Sequence, residues 1–441
     1  MSAGVIRFMT AGSVDDGKST LIGRLLYDTK AVLADQLAAV SRSKHSRVKA
    51  QDAAIDLALL TDGLEAEREQ GITIDIAYRY FVTAKRKFIV ADAPGHEQYT
   101  RNLVTGASQS DVAVILVDAT RVDLTTNPPT LLDQTNRHSA IVRLLGLRHV
   151  VFAVNKMDLL DFDQVAFKAI SEALIQLSQK LGLPLQPVII PLSALQGDNV
   201  VTVSENMPWY QGPSLLQWLE SLDTSATPLM DALRLPVQYV VRQDGSSAED
   251  FRGYLGRVES GELRVGQKVT ILPSGLSSTI SDIHISNGVQ RDRSGLTETV
   301  AMAGSPVMFR LSDDIDVSRG DLIVGTASED SPGLTKRLSA DICWLDAEPL
   351  SLSRKYVLQH TTNSVFAKVR AISQVLDVRT LSHGKTSQTL KMNDIGQVDL
   401  DLQKPVMADL FSQLTATGAF VLIDEATEHT VAAGMIRALN H

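Results

Sequence analysis

The residues best placed to do chemistry open the chain. "GSVDDGKS", residues 12–19, fits the spacing G-x-x-x-x-G-K-S, follows an apolar run and leads into a helical pattern. Gly12 and Gly17 let backbone N–H groups curl around a phosphate chain, with Ser13, Val14, Asp15 and Asp16 forming the loop between them. The N-terminus of the helix that follows, with Thr20 in its first turn, favours the negative charge. Lys18 would neutralise the β- and γ-phosphates, and the Ser19 hydroxyl would bind Mg²⁺. Asp15 and Asp16 are acids beside a polyphosphate; Asp15 would either hold a monovalent cation such as K⁺ near the β/γ bridge or cap the loop.

Two later stretches select the base. "NKMD", residues 155–158, follows the apolar run "VVFAV". Asp158 can accept hydrogen bonds from N1–H and the exocyclic amine of guanine, a donor pair that adenine lacks. Charge-assisted bonds of this kind contribute about 1.5–3 kcal/mol each, enough to choose between bases. Asn155 would hold the base loop, and the Lys156 stem would cover one face of the ring. "SAL" (Ser193, Ala194, Leu195) is placed to offer a backbone N–H to guanine O6. In this order after a phosphate loop, the motifs point to GTP and count against a metabolic ATPase.

The stretch "ADAPGHEQYTRN", residues 91–102, ends an apolar run on an acid and turns on Pro-Gly. Asp92 would reach Mg²⁺ through water, and the Gly95 N–H, set by the Pro94–Gly95 turn, would sense the γ-phosphate. Thr73, in "GITI" (residues 71–74), would be a second hydroxyl ligand of the metal. His96 then falls where a water must be oriented for in-line attack, so the catalytic set is His96, Lys18, Thr73 and Gly95.

Elements that hold such loops are legible around them. Residues 5–11, 87–91, 112–117 and 150–154 read as buried strands, and residues 18–27 and 162–181 as helices. Strand–helix alternation predicts an α/β P-loop domain with a mostly parallel sheet covered on both faces, over residues 1–225. After the linker "DTSATP", short alternating runs punctuated by glycine predict antiparallel β-barrels or sandwiches, divided near "TASEDSPG" into residues 229–328 and 332–441. "LSHGKT", residues 381–386, lacks the earlier glycine and reads as a loop; "PSGLSSTISD", residues 273–282, reads as a hairpin turn. The basic run "RSKHSRVK", residues 42–49, reads as a solvated helix in preference to a dock for an acidic partner.

The totals narrow the class. The chain has 441 residues, too many for one core, with 44% apolar and 21% charged residues as in soluble globular proteins. Cys343 is the single cysteine, which excludes an internal disulfide, suits a reducing cytosol and predicts a cytoplasmic protein; beside Trp344 it reads as core. No signal peptide or membrane span is expected, and the net charge of −9 counts against a broad nucleic-acid footprint.

With these motifs in hand, the chain resembles the translation-factor class of GTPases over nearly its whole length. Within it the sequence is most similar to the GTPase subunits of bacterial sulfate adenylyltransferases. "GSVDDGKSTLIGRLLYDTK", "LLTDGLEAEREQGITIDIAYRYF", "DAPGHEQYTRNLVTGAS" and "DQTNRHS" carry the resemblance. Asp16 stands where elongation factors carry a histidine, Ala93 where the subunit more often has threonine, and the stretch 121–135 looks a few residues longer than usual. The resemblance implies a G domain followed by two β-barrel domains. It also implies a separate small catalytic subunit that makes adenosine 5′-phosphosulfate from ATP and sulfate, driven by GTP hydrolysis on this chain. Some family members continue into a C-terminal kinase; with the sequence ending at His441, none is expected here. The rival reading is an elongation-factor-like carrier of aminoacyl-tRNA, which shares every nucleotide motif.

Overall fold

The apolar runs of the first half form the centre of a six-stranded sheet in the computed structural model. The structure describes residues 4–31, 57, 75–96, 99–126, 128–183, 187–223, 230–243, 251–285, 300–326, 331–384 and 387–440. Thr73, the basic run 42–49 and most of the linker after residue 223 lie outside the described residues. The chain divides into two units, Met1–Ser225 with Asp377–Ser382, and Ala226–Leu376 with His383–His441.

In the first unit the strands are β1 (Val5–Ala11), β2 (Ala77–Val82), β3 (Lys87–Asp92), β4 (Val112–Asp118), β5 (His149–Asn155) and β6 (Val188–Pro191), in the order β2-β3-β1-β4-β5-β6. Strands β3, β1, β4, β5 and β6 run parallel; edge strand β2 is antiparallel to β3, a departure from an all-parallel pattern. β4 is buried along its whole length, which is why its sequence is a continuous apolar run and not an alternation. The helices are α1 (Lys18–Asp28), α2 (Thr100–Ser108), α3 (Asp133–Leu144), α4 (Gln164–Leu181) and α5 (Leu215–Ser221). α1 turns Leu21, Ile22, Leu25 and Leu26 into the core against Phe8, Val90 and Val114. Asp163 caps α4 by accepting from the Val165 and Ala166 amides, and a Ser214–Gln217 capping box starts α5. Because the central strands are parallel, all their carboxyl ends lie along one sheet edge, and the loops after β1, β3, β4, β5 and β6 meet there.

The second unit is built from strands only slightly interrupted. β7 (Arg234–Gln243), β8 (Phe251–Arg257), β10 (Lys268–Leu272), β11 (Leu276–Ile285), β13 (Pro306–Leu311) and β14 (Leu322–Gly325) close into a barrel, with β9 (Glu262–Arg264) and β12 (Val300–Met302) pairing beside it. Its interior is filled by Leu235, Val237, Tyr254, Ile271, Phe309 and Ile323. Of the stretch 273–282 expected as a hairpin turn, residues 273–275 are the turn and residues 276–282 belong to β11, which pairs antiparallel with β10. β15 (Gly333–Trp344), β16 (Lys355–His360), β17 (Asn363–Asp377), β18 (Ser382–Gly384), β19 (Ile395–Ala408), β20 (Ala419–Asp424) and β21 (Thr430–Asn440) form the last sheet. β16 pairs with both β20 and β17, so this sheet also closes on itself, with the short β18 beside β17 outside the closed ring. Residues 382–384 of "LSHGKT" are strand β18 and not loop, attached to the barrel through β17. Cys343 and Trp344 are buried in this core. Among the described residues, no helix is long and apolar enough to cross a membrane.

A candidate nucleotide site at the carboxyl edge of the sheet

The phosphate loop is shaped by conformations its sequence anticipates. Gly17 and Asp15 take positive φ, 92° and 68°, and α1 begins at Lys18. A Cβ on Gly17 would lie 2.4 Å from Asn155 Nδ2, so glycine is required by contact as well as by backbone. That contact matters: Asn155 Nδ2 donates to Asp16 O at 2.7 Å, while Asn155 Oδ1 accepts the Ala194 amide at 2.9 Å. One buried amide therefore ties the phosphate loop, "NKMD" and "SAL" together. Ser193 stabilises its own loop, its hydroxyl accepting the Gln196 amide at 3.1 Å, and Arg24 donates to the carbonyls of Ala194 and Leu195.

Lys18 Nζ donates to Gly12 O at 3.1 Å and Ser13 O at 2.8 Å. Burial holds its ammonium below the ordinary lysine value, opposed by the carboxylates of Asp92, Asp16 and Asp15. The turn after β3 closes on the same atoms: a Cβ on Gly95 would lie 2.4 Å from Lys18 Nζ and 2.8 Å from the Ser13 carbonyl carbon. Any side chain at 95 would displace the lysine. Pro94 is buried, whereas His96 is exposed next to Tyr99, with ring centroids 6.1 Å apart.

Asp92, the last residue of β3, pairs in register with Thr10 of β1 and accepts its hydroxyl at 3.2 Å. Ser19 Oγ stands 3.4 Å from the other Asp92 oxygen. A hydroxyl and a carboxylate this close suit a hard cation that takes its remaining ligands from phosphate and water. Among the described residues no group of three or more His, Cys, Asp or Glu could hold a metal.

Several contacts were not expected from the sequence. The loop cap falls to Asp16 and not to Asp15: Asp16 Oδ2 accepts the Ser13 amide at 2.5 Å, whereas the Asp15 side chain is exposed. His138 of α3 accepts the Gly12 amide at Nδ1, 3.0 Å away. Burial, helped by the Lys18 and Arg137 charges, pushes the His138 ring down to about 3, so it is a neutral acceptor at ordinary pH. Lys156, at φ 65°, sends its ammonium to Asp118 Oδ2 at 2.6 Å. Burial acts against the Asp118 carboxylate, yet bonds from Lys156 and Thr120 hold it below its ordinary value. Arg121 donates to Val14 O at 2.9 Å. Asp118 had a readable signal, since like Asp92 and Asn155 it ends a buried strand; His138 and Arg121 had none beyond their place in the chain. The stretch after β4 closes on itself through paired backbone bonds between Asp123 and Thr130.

Asp158 lies half-buried in a 3₁₀ turn, Met157–Leu160, and its carboxylate has no hydrogen-bond partner among the described residues. The edge thus gathers Gly12, Ser13, Val14, Asp15, Asp16, Gly17, Lys18, Ser19, Thr20, Asp92, Gly95 and His96 on one side. Residues 155–158 and 193–195, expected from the sequence to read the base, follow on the other, joined by Asn155.

Comparison with known proteins matches residues 3–235 to the elongation factor Tu GTP binding domain and residues 337–437 to the GTP-eEF1A C-terminal domain-like family. A bifunctional enzyme CysN/CysC of Mycobacterium tuberculosis (strain CDC 1551 / Oshkosh) is 48% identical over 435 residues, covering 98% of this chain and 67% of its own. Sulfate adenylyltransferase subunit 1 of Laribacter hongkongensis (strain HLHK9) is 46% identical, with 98% and 85% covered. That of Vibrio vulnificus (strain YJ016) is 47% identical, with 98% and 86% covered.

Proposed function

We propose a division of labour for this chain, which belongs to the sulfate adenylyltransferase subunit 1 family and is a GTPase subunit of that enzyme class. GTP binds along the sheet edge, with Lys18 and the loop amides on its phosphates and Asp158 on guanine. A water oriented by His96 attacks the γ-phosphorus. The bond from that phosphorus to the β–γ bridging oxygen breaks, leaving GDP and phosphate. Lys18 and the Gly95 N–H meet the charge that develops. Ser19, Asp92 and Thr73 would hold Mg²⁺, which neutralises phosphate charge when bound.

The observation that carries this reading is the Asn155 tie, which fixes phosphate loop and base loops as one surface. A separate catalytic subunit, as the relatives' designation "subunit 1" suggests, would form adenosine 5′-phosphosulfate from ATP and sulfate. GTP hydrolysis here would drive that unfavourable reaction, which requires the partner to bind the GTP and GDP states with different free energy.

The test is GTP turnover by the purified chain, alone and with the candidate catalytic subunit, ATP and sulfate. Turnover that rises only with all three, with adenosine 5′-phosphosulfate formed in step with GDP, is the expected result. Turnover that responds to ribosomes and charged tRNA and ignores sulfate would favour the carrier reading. His96→Ala is expected to slow hydrolysis roughly 10²–10⁴-fold, the usual scale for a positioned acid–base group; unchanged turnover removes His96 from the mechanism.

A further inference from the structure

Asp16 is the least comfortable charge in the phosphate loop. It is fully buried, and it places negative charge within a loop read to bind phosphates. Oδ2 accepts the Ser13 amide, but Oδ1 has no hydrogen-bond partner among the described residues. A buried carboxylate in that state needs a cation nearby. Lys18 is one, yet its ammonium is spent on the Gly12 and Ser13 carbonyls and, in the reading above, on phosphate. The other is Arg121, which enters from the 3₁₀ turn Ala119–Arg121 at the end of β4. Its Nη1 donates to Val14 O at 2.9 Å and stands 3.8 Å from Asp16 Oδ1, too far for a hydrogen bond and close enough for attraction.

We propose that Arg121 is a positioning residue for the nucleotide phosphates: it anchors the Val14 peptide and offsets the buried Asp16 carboxylate, so that an acid can shape the loop without repelling the polyphosphate. Two features fit this role. Arginine keeps its charge at any working pH, and the 43% exposure of the Arg121 side chain spares it most of the desolvation that Asp16 suffers. Burial raises Asp16 to about 6; Lys18, the Ser13 amide and Arg121 act to lower it, and Asp118 to raise it further. With Lys18 turned to phosphate, Arg121 is the remaining facing cation that opposes that rise.

The inference rests on GTP binding at this loop. The experiment measures the Kd of fluorescently labelled GTP and GDP, with Mg²⁺ present, and KM and kcat for GTP hydrolysis. The proteins are the full chain, Arg121→Ala, Arg121→Gln and the double variant Arg121→Ala/Asp16→Asn. Glutamine keeps a donor toward Val14 O without the charge and serves if the alanine variant fails to fold. Loss of the charge should weaken nucleotide binding and raise KM by roughly 10- to 100-fold while kcat moves less, because Arg121 does not touch the reacting phosphate. Asn at 16 retains an acceptor for the Ser13 amide, so the double variant should recover most of the lost affinity. A weakened single variant that Asp16→Asn does not rescue makes Arg121 merely structural and overturns the proposal. Single variants that bind as tightly as the parent overturn it too. A parent chain that binds no labelled GTP overturns the nucleotide reading itself, and this role with it.

Discussion

Two buried aspartates, each set beside an arginine, divide the molecule by how completely they are satisfied. In the second unit Arg234 of β7 meets Asp409, just past β19, through Nε and Nη2 at 3.0 Å each, with side chains only 1% and 4% exposed. Thr417 donates a further bond to Asp409 at 2.6 Å, and Arg234 Nη1 donates to Leu233 O at 3.2 Å. That pair joins two barrels within one unit, and its fork geometry leaves little undone. At the sheet edge of the first unit, Asp16 and Arg121 approach only to 3.8 Å, and one carboxylate oxygen lacks a hydrogen bond. The same two residue types thus make a structural lock in one place and an unfinished arrangement in the other. The incompleteness sits where a highly charged ligand is expected to arrive.

The largest effect should come from breaking the lock. Asp409→Ala removes the acceptors of Nε and Nη2 from the buried Arg234, and should cost about 3–5 kcal/mol of stability, read by thermal denaturation. Replacing both partners with apolar residues of similar volume should recover much of it. A loss under about 1 kcal/mol would show that the pair locks nothing.

Removing the other acid should act with the opposite sign. Asp16 is held at about 6 against an ordinary 3.8, so its stabilising contribution is full below pH 3.8 and is lost as pH rises through 6. Asp16→Asn should therefore stabilise the chain above pH 6, by up to about 3 kcal/mol. His138 runs the other way: its ring is at about 3 against 6.5, so its contribution is full above pH 6.5 and fades as pH falls toward 3. Between pH 4 and 6 the two slopes oppose, and Asp16→Asn should steepen the acid loss of melting temperature. Parallel pH profiles for parent and variant would deny that Asp16 is a strained, ionised group.

Asp158 extends the comparison to a third acid, this one with no hydrogen-bond partner among the described residues. If it awaits guanine, Asp158→Asn should weaken GTP binding by about 1.5–3 kcal/mol and favour xanthine nucleotides, measured by competition titration. Retained selectivity for GTP would separate an unpartnered acid from a binding role. The smallest change is expected at His138, whose environment is complete. His138→Phe strands the Gly12 amide and should cost roughly 1–2 kcal/mol, while His138→Asn, which keeps an acceptor, should cost less. Equal melting temperatures for the two would refute the hydrogen bond's contribution.

Much of this site was readable before any coordinates. The glycine spacing of residues 12–19 encodes backbone geometry, and Gly17 takes the positive φ that spacing implies. Asp92 and Asn155 end buried strands, so their place at a sheet edge follows from the apolar runs before them. From the residue pattern alone the barrels were legible only as alternatives to sandwiches, and it was the resemblance that implied barrels, because alternation reports which face is buried and not whether a sheet closes; β16 closes its sheet by pairing with β17 as well as β20. The loop reading of residues 382–384 failed for a different reason: β18 is only three residues long, too short to show an alternation, and is a strand only because it pairs with β17, the strand just before it.

Local chemistry was therefore determined by the chain itself: which loops curve around phosphate, which acids end strands, which stretches are core. Only tertiary structure could decide which acid caps the loop, that His138 reaches Gly12 across 126 positions, or that Arg121 rather than another cation faces Asp16. Hydrogen bonds and ion pairs act over a few ångströms of space, and spacing along the chain carries no record of that distance once the contact spans separate elements.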